Sequence, residues 1–271
     1  MARPQLIVVS DLDGTLLDHE TYAFDAARPA LDRLRREGVP LVLCTSKSRA
    51  EIEPLRARLH NTHPFVSENG GAAFIPDGYF PFDVDGAERR DGFLVLRIGD
   101  AYADLLAALE RASRASGVPV RGFAQMSDAE VASATGLPVD QAHLARQREF
   151  DEPFEILAPA RAGALVGAIE REGKRWTAGG RFHHITGASD KAAAVRLLVT
   201  LYERQLGAVT TAGLGDAPND AGFLNEVDTP ILIASPRVDR LRALVPGGRV
   251  TSLPGPAGWN DAVLALLDDR R

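Results

Sequence analysis

The chain has 271 residues, 45% of them apolar, enough to bury a full core as one large domain or two modest ones. Its formal charge of −6 argues against a nucleic-acid partner, whose phosphates call for a basic face, yet leaves room for a small anion held by local positive charge. Cys44 is the only cysteine, which excludes an intrachain disulfide and reads as a buried thiol in a reducing compartment.

The first predicted strand spans 5–10 and runs into Ser10-Asp11-Leu12-Asp13-Gly14-Thr15. Residues i and i+2 of an extended segment share a side, so Asp11 and Asp13 address one ligand while Leu12 packs away. Two carboxylates there make a hard-oxygen site of the kind that suits Mg2+, and one of them could serve as a nucleophile. Read alone, Asp13-Gly14 is an ordinary turn signal. An EF-hand loop is excluded, because counting from Asp11 the glycine is fourth and Tyr22 is twelfth, where that loop needs a glycine sixth and a glutamate twelfth.

A helix over 26–37 leads to a strand over 39–44 that ends at Thr45-Ser46-Lys47-Ser48, followed by a helix over 48–59 and a strand over 64–67. Ser67-Glu68-Asn69-Gly70-Gly71 comes next and by itself reads as an Asn-Gly turn. Residues 85–186 are too many for a loop. Within them, Phe93–Ile98, Val118–Phe123, Phe154–Leu157, Arg175–Thr177 and Phe182–Ile185 read as strands. Ala101–Ala115 and Ala160–Glu172 read as helices, and Ser127-Asp128-Ala129-Glu130 has the spacing of a capping box. Beyond them come a helix over 190–205, a strand over 208–213 and a second acidic cluster, Gly213-Leu214-Gly215-Asp216-Ala217-Pro218-Asn219-Asp220. A helix over 218–225, a strand over 230–234 and helices over 237–244 and 258–268 complete the chain.

Short apolar runs alternating with helical patterns predict an α/β fold, a doubly wound, Rossmann-like parallel sheet covered on both faces. The acidic and hydroxyl motifs then fall at the C-terminal ends of strands, the edge where such sheets bind ligands. Residues 1–84 and 187–271 are expected to form this core, and 85–186 an inserted second α/β domain. No signal peptide or membrane span is visible, so a cytoplasmic protein with no membrane partner is expected.

The run Asp11-Leu12-Asp13-Gly14-Thr15, Thr45 at the end of the second strand, Lys191 in Gly187-Ala188-Ser189-Asp190-Lys191, and Gly215-Asp216-Ala217-Pro218-Asn219-Asp220 occur in the order of four motifs. In this the sequence resembles the haloacid dehalogenase-like phosphatases. The resemblance implies a phosphomonoester hydrolase in which Asp11 attacks phosphorus and Asp13 protonates the leaving oxygen and then activates water. It also implies that Thr45 and Lys191 hold phosphoryl oxygens. Mg2+ would sit on Asp11, Asp216 and the backbone carbonyl of Asp13, with Asp220 close by.

An insertion after the third strand resembles the large α/β caps of the sugar-phosphatase branch. Thr135-Gly136-Leu137-Pro138 and Ala145-Arg146-Gln147-Arg148-Glu149-Phe150-Asp151-Glu152-Pro153-Phe154, with Ser67–Gly71, resemble the signature of the mannosyl-3-phosphoglycerate phosphatases. Patterning alone reads 145–152 as a charged helix ending before Pro153. The resemblance makes the substrate a small phosphorylated sugar, with Arg148 on its anionic part and Ser46, Asn69, Glu149 and Glu152 as further substrate-binding residues. Of His183 and His184, alternation lets one face a cleft. A phosphomannomutase-like phosphotransferase, another sugar phosphatase acting on sucrose phosphate or glucosyl-3-phosphoglycerate, and, from a different class, a phosphate-accepting signalling module are the competing readings.

Overall fold

The computed structural model describes residues 4–178 and 182–270. Its large sheet is built on the strand Gln5–Ser10, buried in all but its first residue. Alternation along this strand fills two cores at once. Ile7 and Val9 pack with Val42, Cys44, Leu198 and Tyr202 on one face, and Leu6 and Val8 with Leu31, Leu34 and Trp259 on the other. That two-sided burial makes the fold doubly wound.

Gln5–Ser10 pairs in parallel with Leu41–Cys44 on one side and Val209–Gly215 on the other. Phe65–Ser67 extends the parallel set beyond Leu41–Cys44, and Thr229–Ala234 then Arg249–Pro254 extend it beyond Val209–Gly215. The last of these strands carries no strong sequence signal and was not expected. The segment expected as a helix over 218–225 is a 3-10 turn, Pro218–Asp220, and a short helix, Ala221–Leu224.

Phe93–Arg97, expected as the first strand of the inserted domain, pairs instead with Ala72–Pro76 in the large sheet, and Glu88–Arg90 pairs with it in turn. Asp91 and Gly92, both with positive φ (49° and 82°), form the tight turn that joins the last two strands. An Asp-Gly pair is the preferred sequence for such a hairpin. The three antiparallel strands are pinned by Phe65, Phe74 and Phe93, whose rings stack or meet edge to face. The chain thus leaves the large sheet near Gly99, not near residue 85.

A second sheet follows, antiparallel in the order Val120–Gly122, Asp151–Ile156, His183–Thr186, Arg175–Ala178. Helices Tyr102–Ser116 and Ala162–Arg171 cover one of its faces through Leu105, Leu109, Leu165 and Ile169, packed on Phe154 and Ile185. The 145–152 segment is not a helix. The helix Val139–Ala145 stops short and Asp151–Ile156 is a strand, with Pro153 inside it. The outgoing and returning passages lie side by side. A Cβ on Gly99 would stand 2.5 Å from Ser189 Oγ, and one on Gly187 2.1 Å from the Asp100 carboxyl carbon. No helix among the described residues is long and apolar enough to cross a membrane.

Candidate active site

Asp11 follows the central strand, its backbone N–H donating to Leu214 O at 2.9 Å, so it stands beside the end of Val209–Gly215. Asp216 and Asp220 follow that strand. The carboxylates of Asp11, Asp216 and Asp220 each offer an oxygen within 4.8 Å of the others, all three residues buried. Lys191, at the start of the helix Lys191–Leu206, donates to Asp11 Oδ1 at 3.0 Å and to Asp220 Oδ1 at 2.7 Å. Asp220 Oδ2 accepts from the backbone N–H groups of Asp216 and Ala217, which ties the cluster to its own loop.

Burial pushes the Asp11 carboxyl well above the usual carboxylate range, and repulsion from Asp220 adds to this against the pull of Lys191. Burial likewise raises Asp216, opposed by Arg237, whose Nη2 donates to Asp216 Oδ2 at 2.6 Å. Crowded, desolvated carboxylates of this kind call for a cation. Three carboxylate oxygens with neither nitrogen nor sulfur among them suit a hard divalent ion, and the donor set fits one.

The Asp13 carboxylate lies outside that group. Its Oδ2 pairs with Lys47 at 3.0 Å, while its Oδ1 is buried without a hydrogen-bond partner among the described residues. Lys47 is itself held by Glu51 at 3.6 Å and lies over the Tyr22 ring. Gly14, at φ +80°, carries the turn past Asp216, whose Oδ2 a Cβ there would approach to 2.9 Å. Thr45 is buried at the end of Leu41–Cys44, its carbonyl accepting from Asn69 N–H at 3.0 Å. Cys44 is no nucleophile, since burial pushes its thiol up to about 12.

Glu68-Asn69-Gly70 turns in the left-handed region, with φ of 49°, 57° and 92°. Only glycine fits the last position, because a Cβ on Gly70 would stand 2.1 Å from the Asp190 carbonyl carbon. That close approach sets the start of the Lys191 helix.

A cavity of about 620 Å3 opens beside Lys191, lined by Ser46, Asn69 and Asn219 from the large-sheet side and by Arg175, Thr177 and His184 from the smaller sheet. Of the residues expected to bind substrate, Ser46 and Asn69 line this cavity. Arg148, Glu149 and Glu152 do not line it. The Arg148 side chain is 4% exposed and is spent on Glu68 (3.6 Å), Asp151 (3.3 Å), Glu51 (3.8 Å) and the Ser46 carbonyl (3.1 Å). Glu68 also accepts from the backbone N–H groups of Glu149 and Phe150. Glu149 pairs with Arg49 and Arg90, and Glu152 accepts from Tyr102 OH and Ala124 N–H inside the smaller sheet's own packing. Arg148 thus ties the 148–151 segment to the large domain.

Arg148→Ala would take the guanidinium from two buried carboxylates, Glu68 and Asp151, and leave them only their hydrogen bonds, a loss of about 3 kcal/mol. We expect a lowered melting temperature and equal losses of activity toward a glycosyl phosphate and para-nitrophenyl phosphate. Unchanged melting with loss on the carboxylate-bearing substrate alone would return Arg148 to a ligand role.

Sequence reasoning assigned no role to Lys47, Glu68, Asn219 or Arg237. Lys47 carried a signal, being one of three lysines and directly following Thr45-Ser46. Arg237 follows the end of Thr229–Ala234, the edge at which ligands gather.

The haloacid dehalogenase-like hydrolase family matches residues 8–79. A glucosyl-3-phosphoglycerate/mannosyl-3-phosphoglycerate phosphatase of Methanococcoides burtonii is 40% identical over 264 residues, covering 96% of this chain and 97% of that protein. One of the same description from Persephonella marina is 37% identical over 268 residues, covering 97% and 98%. The fold is shared with a solved haloacid dehalogenase-like hydrolase from Bacteroides thetaiotaomicron, at a TM-score of 0.69 and 16% identity over 97% of this chain and 100% of that one. Full-length identity to phosphatases and the gathering of Asp11, Lys191, Asp216 and Asp220 at one sheet edge converge: the chain belongs to the haloacid dehalogenase-like hydrolases and is a phosphomonoester hydrolase.

Proposed function

We propose that the chain hydrolyses mannosyl-3-phosphoglycerate, and glucosyl-3-phosphoglycerate with it, to the glycosylglycerate and inorganic phosphate. The observation that carries this reading is the cavity beside Lys191, whose lining among the described residues includes Arg175, Lys191, Arg237 and Arg240 but a single carboxylate residue, Asp190. A protein of net charge −6 that concentrates four cations at one cavity is suited to a ligand with several negative charges. The substrate's phosphate and its glycerate carboxylate supply them. Arg175 and Arg240 have no ion pair among the described residues, and their planar forks match a carboxylate. Relatives across nearly the whole length are named for both sugars.

In this reading Asp11 attacks phosphorus, forming an aspartyl phosphate as the bond to the glycerate oxygen breaks. Asp13 delivers a proton to that oxygen and then takes one from the attacking water. Its Oδ1 has no hydrogen-bond partner among the described residues, and Lys47 restrains the other oxygen. Thr45 and Lys191 hold the equatorial phosphoryl oxygens, where charge gathers in the transition state. Asp11, Asp216 and Asp220, with the Asp13 carbonyl, would hold Mg2+, which supplies countercharge and polarises the phosphoryl group. Residues from about 100 to 186 act as the cap. We place the enzyme in the cytoplasm, where its one thiol stays reduced.

Phosphate release from mannosyl-3-phosphoglycerate, glucosyl-3-phosphoglycerate, sucrose phosphate and simple hexose phosphates tests the assignment. The two glycosyl-3-phosphoglycerates should lead the series in kcat/KM, without any bisphosphate primer. Equal rates across it would remove the substrate assignment, and a primer requirement would indicate a mutase.

A further inference from the structure

The strand His183–Thr186 presents its side chains alternately to two environments. His183 packs between Phe154 and Trp176, with ring centroids 5.8 and 5.7 Å away, whereas His184 lines the cavity. The His184 ring is anchored from behind. Its Nδ1 lies 2.9 and 3.1 Å from the two carboxylate oxygens of Asp151, a residue with no exposed surface. Asp151 pairs with the Arg148 guanidinium at 3.3 Å and accepts from Asn69 Nδ2 at 3.3 Å, partners that favour its ionised form. An ionised carboxylate only accepts, so Nδ1 carries the proton. In the neutral ring this leaves a lone pair on Nε2, the nitrogen available to the cavity. A lone pair so presented suits a hydroxyl donor, while the arginines of the same cavity suit the anionic groups.

We propose that His184 accepts a hydrogen bond from a hydroxyl of the substrate's glycosyl group, with buried Asp151 as the positioning residue that sets its tautomer and orientation. The proposal rests on the glycosyl-phosphate reading above and names the side chain that would read the sugar. Asp151 also joins this contact to the phosphoryl site. It accepts from Asn69 Nδ2 at 3.3 Å, and Asn69 donates its backbone N–H to the Thr45 carbonyl at 3.0 Å and accepts from Asn219 at 3.4 Å. Sugar binding at His184 therefore stiffens the loop beside Thr45, so part of its binding energy is expressed in kcat.

The test compares wild type, His184→Ala and His184→Gln on mannosyl-3-phosphoglycerate, on sugar-free 3-phosphoglycerate and on para-nitrophenyl phosphate. For His184→Ala, kcat/KM on the glycosyl substrate should fall about tenfold to a hundredfold, as for a lost hydrogen bond to a substrate hydroxyl. The two sugar-free substrates should stay within about threefold of wild type. His184→Gln, which keeps an acceptor, should recover part of the loss. An equal fall on all three substrates, or none on the glycosyl one, overturns the proposal. Asp151→Asn should deplete the Nδ1-protonated tautomer in imidazole 15N spectra and lower kcat/KM on the glycosyl substrate more than on the two sugar-free ones. An unchanged tautomer with an unchanged KM would remove Asp151 from its positioning role. If wild type turns over neither glycosyl-3-phosphoglycerate, the substrate reading itself has failed. That result is visible before any variant is made, and the same comparison on the sugar phosphate it does turn over, against its sugar-free counterpart, decides for or against His184.

Discussion

Asp11→Asn is expected to abolish phosphate release, lowering kcat by about ten-thousandfold or more, the scale seen when a covalent nucleophile is removed. An amide nitrogen and oxygen share their electrons with the carbonyl carbon and are too weak to displace an alkoxide from phosphorus. The fold should survive the change. Asp11 is buried beside Lys191 and two other carboxylates, and burial already disfavours its charge. Removing that charge relieves repulsion and leaves Lys191 paired with Asp220 at 2.7 Å. Melting at or above the wild-type temperature should therefore accompany the loss of turnover. Trapping with labelled substrate followed by acid quench should give a phosphoprotein from wild type and none from the variant. Near-wild-type turnover by Asp11→Asn, with deamidation excluded by mass spectrometry, would end the covalent mechanism.

Removing divalent metal should have the next largest effect, a loss of roughly a thousandfold in kcat, corresponding to the several kcal/mol a metal contributes at a phosphoryl centre. The reason is the trio Asp11, Asp216 and Asp220, whose oxygens lie within 4.8 Å of one another, with Lys191 and Arg237 as their counterions among the described residues. An incoming phosphate adds further negative charge to that space. EDTA should silence the enzyme, and Mg2+ should restore it. A readout independent of activity is available, because a ligand that binds only the folded state at a hundred times its Kd stabilises it by about 2.7 kcal/mol. Saturating Mg2+ should raise the melting temperature of wild type and much less that of Asp216→Ala. Full activity in buffer shown metal-free by elemental analysis would contradict the reading, as would identical Mg2+ shifts in the two proteins.

Much of the catalytic half of this protein is legible in its sequence because the relevant rules are local. Apolar runs of strand length, each ending in acidic or hydroxyl residues, mark the C-terminal edge of a parallel sheet. Alternation along Asp11-Leu12-Asp13 did not carry over, because the strand ends at Ser10 and a turn at Leu12 takes the Asp13 carboxylate to Lys47, away from Asp216 and Asp220. Lys191 stands at the head of a helix capped by Asp190, whose Oδ1 accepts from Ala192 N–H at 2.8 Å. Asp91-Gly92 also lay in plain view as a hairpin signal, and it outweighs the expectation that Phe93–Arg97 starts the cap.

The cap half is different, because what a long side chain does there depends on partners far along the chain. Arg148 reads from sequence as a free cation suited to a substrate carboxylate. Its fate is decided by Glu51 and Glu68, which lie about 100 and about 80 residues upstream and pair with it in a buried site. Glu152 is likewise taken by Tyr102, fifty residues away. Strand periodicity allowed one of His183 and His184 to face a cleft, but only the packing of Phe154 and Trp176 around His183 selects His184. Residue order and period therefore determined the fold class and the sheet edge, since these follow from backbone geometry repeated every two or 3.6 residues, and the order of the four motifs carried the family resemblance that implied the phosphoryl chemistry. Tertiary structure alone decided which cap side chains are spent on internal charge pairing and which meet the cavity, since desolvation and ion pairing depend on distances in space that sequence separation does not encode.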